Sequence, residues 1–301
     1  MDKIYYLKQV LGILRYKEAK EGMERLADIL KKSGIRTNVY GVETHAVWTK
    51  GEEDGGTDIP GLIQSSRSTA YGCLWITDSS FWARRLGEQG LPLLVYFHEG
   101  NREEDFPVAG QGMEKPWELE SLYFENVYRR FAGIPWDIAE TSRCLVRETV
   151  AEDALAFRVI YNDPEVMRFT REQYPDTVRE KEYVKEYIKK QYCFYNFGVW
   201  TIVLKKTGEV IGRAGFFMRE GYEAVELGYV IGFPWQGQGI AYEVCCAILE
   251  YAREELGFEM VQTMVEEDNT ASLGLCRKLG FKKKETVWVD GILCVRWEKR
   301  L

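Results

Sequence analysis

Apolar positions recur at helical intervals over Ile4–Tyr16 and again over Lys17–Ser33, where Gly34 is placed to close the helix. Thr37–Val42 reads as a strand, and Gly51–Gly61 (GEEDGGTDIPG) is a polar run of turn residues that belongs on the surface. The apolar run CLWITDSS ends in Thr77, Asp78 and Ser79. A helical pattern at Phe81–Gln89, then Gly90, then a second apolar run, LPLLVYF, follow it. Strand, polar N-cap, helix, glycine and strand in that order make a β-α-β unit, which predicts two parallel strands under a covering helix. A helix over Trp117–Phe131 ends at Gly133-Ile134-Pro135, and a connector at Asp137–Arg143 leads into a strand at CLVRE.

Beyond that point the pattern predicts helices at Ala151–Tyr161 and Thr177–Tyr192, then strands at Phe197–Leu204, Glu209–Met218 and Glu223–Ile231. Turn residues at Lys206-Thr207-Gly208 and Glu220-Gly221 join these three strands as an antiparallel meander. The loop GFPWQGQG precedes a helix at Ile240–Glu255, a strand at Met260–Val265, a helix at Thr270–Leu279 and two final strands near Glu285–Val289 and Leu293–Glu298. The expected fold is therefore a two-domain α/β chain: a Rossmann-like α/β domain over 1–140, and over 141–301 a mixed, largely antiparallel sheet with flanking helices.

Length and composition agree with two cores, since the chain has 301 residues, 46% of them hydrophobic and 14% aromatic. A formal charge of −7 argues against a nucleic-acid partner, which needs a basic surface, and is compatible with a cationic or amine-bearing substrate. Two histidines, His45 and His98, and seven cysteines without a C-x-x-C spacing offer little for a metal, so none is expected. The cysteines read as small buried hydrophobes in a reducing compartment. The chain has no apolar run long enough to span a bilayer, which excludes a membrane partner and implies a cytoplasmic protein.

The chemistry concentrates in Gln236-Gly237-Gln238-Gly239-Ile240-Ala241, between a strand end and an amphipathic helix. The first amides of a helix lack intrahelical partners, and glycines let a large anion approach them, so a phosphate-bearing ligand fits here. A P-loop needs G-x-x-x-x-G-K-[ST], which the chain lacks, and a dinucleotide fingerprint needs glycine or alanine where Tyr242 stands. The pattern Gln/Arg-x-x-Gly-x-Gly/Ala is met by Gln236, Gly239 and Ala241. A second segment runs from Asn269 to Phe281, in which Asn269 is a good helix N-cap and Gly280 a helix stop.

These two segments, in this order of strands and helices, resemble the GNAT superfamily of acetyltransferases, in particular its ribosomal-protein-type N-acetyltransferase branch. The resemblance implies acetyl-CoA as co-substrate, with its pyrophosphate on Gln236 to Ala241, including Gly237, Gln238 and Ile240. It also implies that the strand Tyr229-Val230-Ile231 pairs with the pantetheine arm, and that Asn269 and Ser272 contact it. The implied reaction is direct attack of a primary amine, on a small molecule or a protein, upon the thioester. Such an amine must first lose a proton, since an ammonium has a pKa of about 10.4. Glu226 shares a strand face with Gly228 and Val230 and is the candidate base, ahead of Glu223; a purely hydrogen-bonding role for it stays open. A backbone amide near Val230 or Ile231 is the candidate oxyanion donor. Many relatives have a tyrosine where this chain has Cys276, so Cys276 as acid, Cys276 as packing, water, and Tyr229 all remain candidates for protonating the leaving thiolate. The acceptor is expected among Asn162–Tyr195 and the loop near Gly221, a region that supplies Phe169, Glu172, Tyr174, Asp176, Tyr192, Phe194 and Tyr195.

The first domain is similar to the later part of haloacid-dehalogenase-like Rossmannoid domains, but no D-x-D motif occurs in residues 1–143, which points to a noncatalytic domain. Asp78 and Ser79 are possible ligand contacts there, with helix capping by Ser79 or Ser80 as the plainer role. Two further functions stay open: an acyl-CoA-sensing module without catalysis, whose first domain regulates it or binds a partner, and a phosphatase-type activity in the first domain.

Overall fold

The structure is a computed structural model, and it describes residues 6–43, 46–49, 61–64, 72–107, 111–170 and 177–301. Residues 51–60 of the expected surface loop, His45, and Glu172, Tyr174 and Asp176 of the expected acceptor region lie outside the described residues. The chain divides into two compact units, Met1–Ile134 and Pro135–Leu301.

The first unit contains β1 (Gln9–Leu14), α1 (Glu18–Lys32), β2 (Arg36–Glu43), β3 (Ala46–Thr49), β4 (Cys73–Thr77), α2 (Ser80–Gly87), β5 (Leu93–Tyr96), β6 (Gly112–Met113) and α3 (Ser121–Phe131). Its six-stranded sheet has the order β3-β2-β1-β4-β5-β6, and β2, β1, β4, β5 and β6 are mutually parallel while β3 returns antiparallel to β2. On one face α1 buries Ala19, Met23, Leu26 and Leu30, an i, i+4, i+7, i+11 stripe. On the other, Ala83 and Leu86 of α2 pack on Trp75 and Val95. The helix expected over Ile4–Tyr16 is instead the strand β1. Its residues Val10–Leu14 are buried because two parallel neighbours flank it and helices cover it, so an uninterrupted apolar run serves there without alternation.

The second unit contains β7 (Asp137–Glu140), β8 (Cys144–Arg147), α4 (Ala154–Tyr161), α5 (Thr177–Tyr187), β9 (Val199–Leu204), β10 (Glu209–Phe217), β11 (Val225–Ile231), α6 (Ile240–Glu254), β12 (Met260–Glu266), α7 (Thr270–Lys278), β13 (Lys282–Val289) and β14 (Ile292–Arg300). The eight strands lie in the order β13-β14-β12-β11-β10-β9-β8-β7, antiparallel throughout except for β11 beside β12. The expected connector at Asp137–Arg143 includes the edge strand β7, which forms a hairpin with β8, so the second unit begins near Pro135 instead of 141. Ile240, Val244, Ile248 and Ala252 of α6 pack against Leu227, Ile231 and Val261 on one sheet face. Phe157 and Tyr161 of α4 pack against Val210 and Val230 on the other.

Candidate active site

The parallel pair β11 and β12 is the one place where the second sheet opens. Each strand has seven residues, yet they pair only at Val225–Val261 and Glu226–Gln262, and the remainder of each strand diverges from the other. The opening exposes one edge of β11, and the ladder to β10 determines which groups lie on it. The Gly232 amide donates to the Ile211 carbonyl (2.8 Å), in the same register that pairs Gly228 with Gly215. Antiparallel ladders alternate, so the backbone groups of Glu226, Gly228 and Val230 face β10, and those of Leu227, Tyr229 and Ile231 face the opening. The main-chain amide of Val230, expected to serve the cofactor, is thus directed into the β10 ladder, and its side chain packs with α4. Tyr229 and Ile231 carry the outward groups.

Gln236 Nε2 donates to the Ile231 carbonyl (2.8 Å), and Gln238 Nε2 donates to the Pro234 carbonyl (2.8 Å), so both side chains brace the turn. Gly237 and Gly239 have φ of 72° and 77°, in the left-handed region, where a side chain is strained. Gly239 is the N-cap of α6, whose first intrahelical bond runs from the Glu243 amide to the Gly239 carbonyl (3.1 Å). The earlier amides of that first turn lack intrahelical acceptors. A loop with two left-handed glycines, leading to such a helix end, fits a pyrophosphate.

Across the opening, Asn269 caps α7, its Oδ1 accepting from the Ser272 amide (3.1 Å). The Tyr229 hydroxyl donates to Ser272 Oγ (2.8 Å), and burial raises the tyrosine pKa above its ordinary value. Cys276 lies one turn further along α7, is 2% exposed, and belongs to the hydrophobic core; burial pushes its thiol up to about 12. A buried thiol that holds its proton this firmly is a packing group, and transfer to an ordinary thiolate, with a pKa of about 8.5, runs uphill.

Glu226 stands at the last paired position before the strands part and is buried. Its carboxylate accepts the Met264 backbone amide, which faces the gap, and forms an ion pair with Arg219 Nε. Burial raises its pKa and the Arg219 contacts act downward, leaving a net rise. Glu223 is in the β10–β11 loop and lines a groove with Tyr222, Gln262 and Arg296. Of the expected acceptor aromatics, Tyr192 is removed from any pocket. It is fully buried, its hydroxyl donating to the Val199 carbonyl (2.6 Å) and accepting from the Thr149 amide (3.2 Å). Phe194 and Tyr195 are exposed, and Phe169 is half-buried beneath Arg168.

Sequence reasoning missed Arg143 and Glu243. Glu243, in the first turn of α6, accepts from Ser142 Oγ (2.8 Å), the Arg143 amide (2.9 Å) and Arg143 Nε (2.6 Å). Arg143 Nη1 in turn donates to the Gln238 carbonyl (2.9 Å) inside the loop. The partners are about a hundred residues apart in sequence, and no local motif joins them.

In the first unit, Asp78 stands at the carboxyl end of β4, where the strand order reverses. It is fully buried and accepts from the Arg15 amide (2.6 Å), the Tyr16 amide (3.0 Å) and His98 Nε2 (3.3 Å). His98 Nδ1 accepts from the Gly100 amide (3.1 Å), which leaves the ring proton on Nε2. Asp78 is a structural pin, not an open ligand contact. The start of α2 is capped by neither Ser79 nor Ser80 side chains: the Ser80 amide donates to Glu104 Oε2 (3.0 Å). Glu104 also accepts from the Tyr16 hydroxyl (2.6 Å) and Arg15 Nη1 (3.0 Å). Burial works against this carboxylate, but these bonds outweigh it and lower its pKa.

Residues 143–282 match the acetyltransferase (GNAT) domain. The uncharacterized protein YkkB of Bacillus subtilis is 26% identical over 141 residues, covering 45% of this chain and 79% of that protein. The uncharacterized N-acetyltransferase YoaA of the same organism is 28% identical over 149 residues, or 49% and 84% of the two chains. The ribosomal protein uS5-alanine N-acetyltransferase of Escherichia coli is 32% identical over 114 residues, 36% of this chain and 57% of that enzyme. Segment 143–282 is thus a GNAT acetyltransferase domain, and the protein is an N-acetyltransferase. Among the described residues, no cluster of His, Cys, Asp and Glu could hold a metal, and no helix is long and apolar enough to cross a membrane.

Proposed function

We propose that the second unit transfers an acetyl group from acetyl-CoA directly to a primary amine in the opening between β11 and β12. The carrying observation is that these parallel strands pair at two positions only and leave one edge of β11 free for a ligand. Gln236 to Ala241 and the first turn of α6 would hold the pyrophosphate, and the outward groups of Tyr229 and Ile231 would pair with the pantetheine arm. The co-substrate supplies a thioester carbonyl open to attack.

The chain's own groups then divide the work. Amides directed into the opening are the donors for negative charge that develops on the carbonyl oxygen. Glu226, made more basic by burial, takes the proton from the acceptor ammonium, directly or through water. The departing thiolate takes its proton from water, because the Tyr229 and Ser272 hydroxyls, like the Cys276 thiol, hold their protons more firmly than a thiol of pKa about 8.5. The acceptor is an amine on a small molecule or a protein, and the relative that acts on an alanine of ribosomal protein uS5 supports the protein class. The first unit is a Rossmann-like domain, related in pattern to haloacid dehalogenases and without catalysis, because Asp78 is wholly occupied by its own neighbours.

A second reading, an acyl-CoA sensor without turnover, is favoured by the engagement of Glu226 with both Arg219 and the Met264 amide. CoA release from acetyl-CoA over a panel of amines and N-terminal peptides separates the two. Transfer is expected on at least one acceptor, falling by about a hundredfold or more in Glu226→Gln. Tight acetyl-CoA binding with no turnover on any acceptor would instead establish the sensor.

A further inference from the structure

The end of α6 that would receive an anion already carries one. Glu243 lies in its first turn, and although burial works upward on its carboxyl, hydrogen bonds from Thr141, Arg143 and Ser142 hold its pKa at about 2. A carboxylate there is favourable to the helix macrodipole. For a second anion on the same turn it is an obstacle, since like charges a few ångströms apart repel.

Arg143 is placed to remove the obstacle. Its Nε and Nη2 both meet Glu243 Oε2 at 2.6 Å, which neutralises the carboxylate, while Nη1 reaches the Gln238 carbonyl. The same Nη2 lies 3.8 Å from the point where a Cβ on Gly239 would stand, so the guanidinium lies against the loop itself. Glu243 also accepts from Ser142 Oγ and the Arg143 amide, which fastens the β7–β8 turn to the helix end. The loop therefore leans on a neighbour from another hairpin as well as on its own glutamines.

We propose that Arg143 and Glu243 are positioning residues for the acyl-CoA pyrophosphate. Glu243 anchors Arg143, and Arg143 both holds the Gln236–Ala241 loop in shape and cancels the Glu243 charge, so that the helix end still attracts the cofactor. This rests on the reading of that loop as the pyrophosphate site. It implies a particular pattern of energetic coupling. Loss of Arg143 alone leaves a bare carboxylate beside the anion site, whereas loss of both partners leaves none.

The experiment measures steady-state kinetics and calorimetric binding of CoA with the full chain and with Arg143→Ala, Arg143→Lys, Glu243→Gln and Arg143→Ala/Glu243→Gln. Arg143→Ala is expected to raise KM for acetyl-CoA and Kd for CoA by about tenfold to a hundredfold, the size of a charge-assisted contact, with kcat changed by less than about threefold. Arg143→Lys should recover part of that loss, and the double variant should bind at least about threefold more tightly than Arg143→Ala. Thermal melts of each variant exclude unfolding as the cause. Equal KM for the single alanine variant and the double variant overturns the neutralising role, and a loss confined to kcat overturns the positioning role. A wild-type protein that fails to bind CoA overturns the pyrophosphate-site reading itself, and is distinguished from both by the binding arm.

Discussion

Asp78→Ala isolates the packing of the first unit from any chemistry. The substitution removes the acceptor of two main-chain amides, Arg15 and Tyr16, at the end of the central strand, together with the partner of His98 Nε2. Leaving a buried donor without a partner costs about 1–3 kcal/mol each, so the two amides alone amount to roughly 2–6 kcal/mol. The burial that raises the Asp78 pKa also means that the wild-type carboxylate carries a desolvation cost, which the alanine relieves. A net loss of about 3 kcal/mol is the central expectation, equivalent to a melting temperature lower by roughly 10 °C for a domain of this size. Differential scanning calorimetry on the full chain reads it, with limited proteolysis locating new cleavage in residues 1–134. Acetyl transfer assayed below the transition should persist. A variant that melts within about 2 °C of the wild type, or that loses an activity of the first unit while remaining folded, would refute the structural role of Asp78.

Further outcomes follow from the acetyltransferase site. Arg219→Met removes the contact that lowers the Glu226 pKa, so the acid limb of the kcat/KM–pH profile should move to higher pH; an unmoved limb eliminates Glu226 as the base. Cys276→Ala should leave kcat within about threefold and lower stability by about 1–2 kcal/mol through lost packing, measured by urea denaturation. Ser272→Ala should leave kcat within about threefold, since water protonates the thiolate; a kcat loss of about tenfold or more at unchanged acetyl-CoA KM would assign the acid role to the hydroxyl instead.

Much of the second unit was legible because its signals are local. The meander turns, the two glycines ahead of α6 and the Asn269 cap each determine backbone conformation within a few residues. The misreadings have equally definite causes. β1 reads as a helix in sequence since Val10–Leu14 is a run of apolar residues whose burial on both faces erases the alternation that marks a strand. β7 was missed because four residues with two exposed ends carry little pattern. The roles of Val230 and Cys276 depend on which way a ladder bond or a helix face points, and no motif encodes that. Arg143 with Glu243, and Glu104 with Ser80, join residues distant in sequence, and only the folded chain brings them together.

Glu104 takes the place of an external anion in the first unit. Its carboxylate meets the start of α2 and the side chains of Tyr16 and Arg15, which is the role a bound phosphate plays where strands of this kind open toward solvent. The first unit thus carries its counter-anion as part of the covalent chain. The contacts that lower the Glu104 pKa contribute stability that is present above the ordinary carboxylate range and is lost as pH falls through the lowered value.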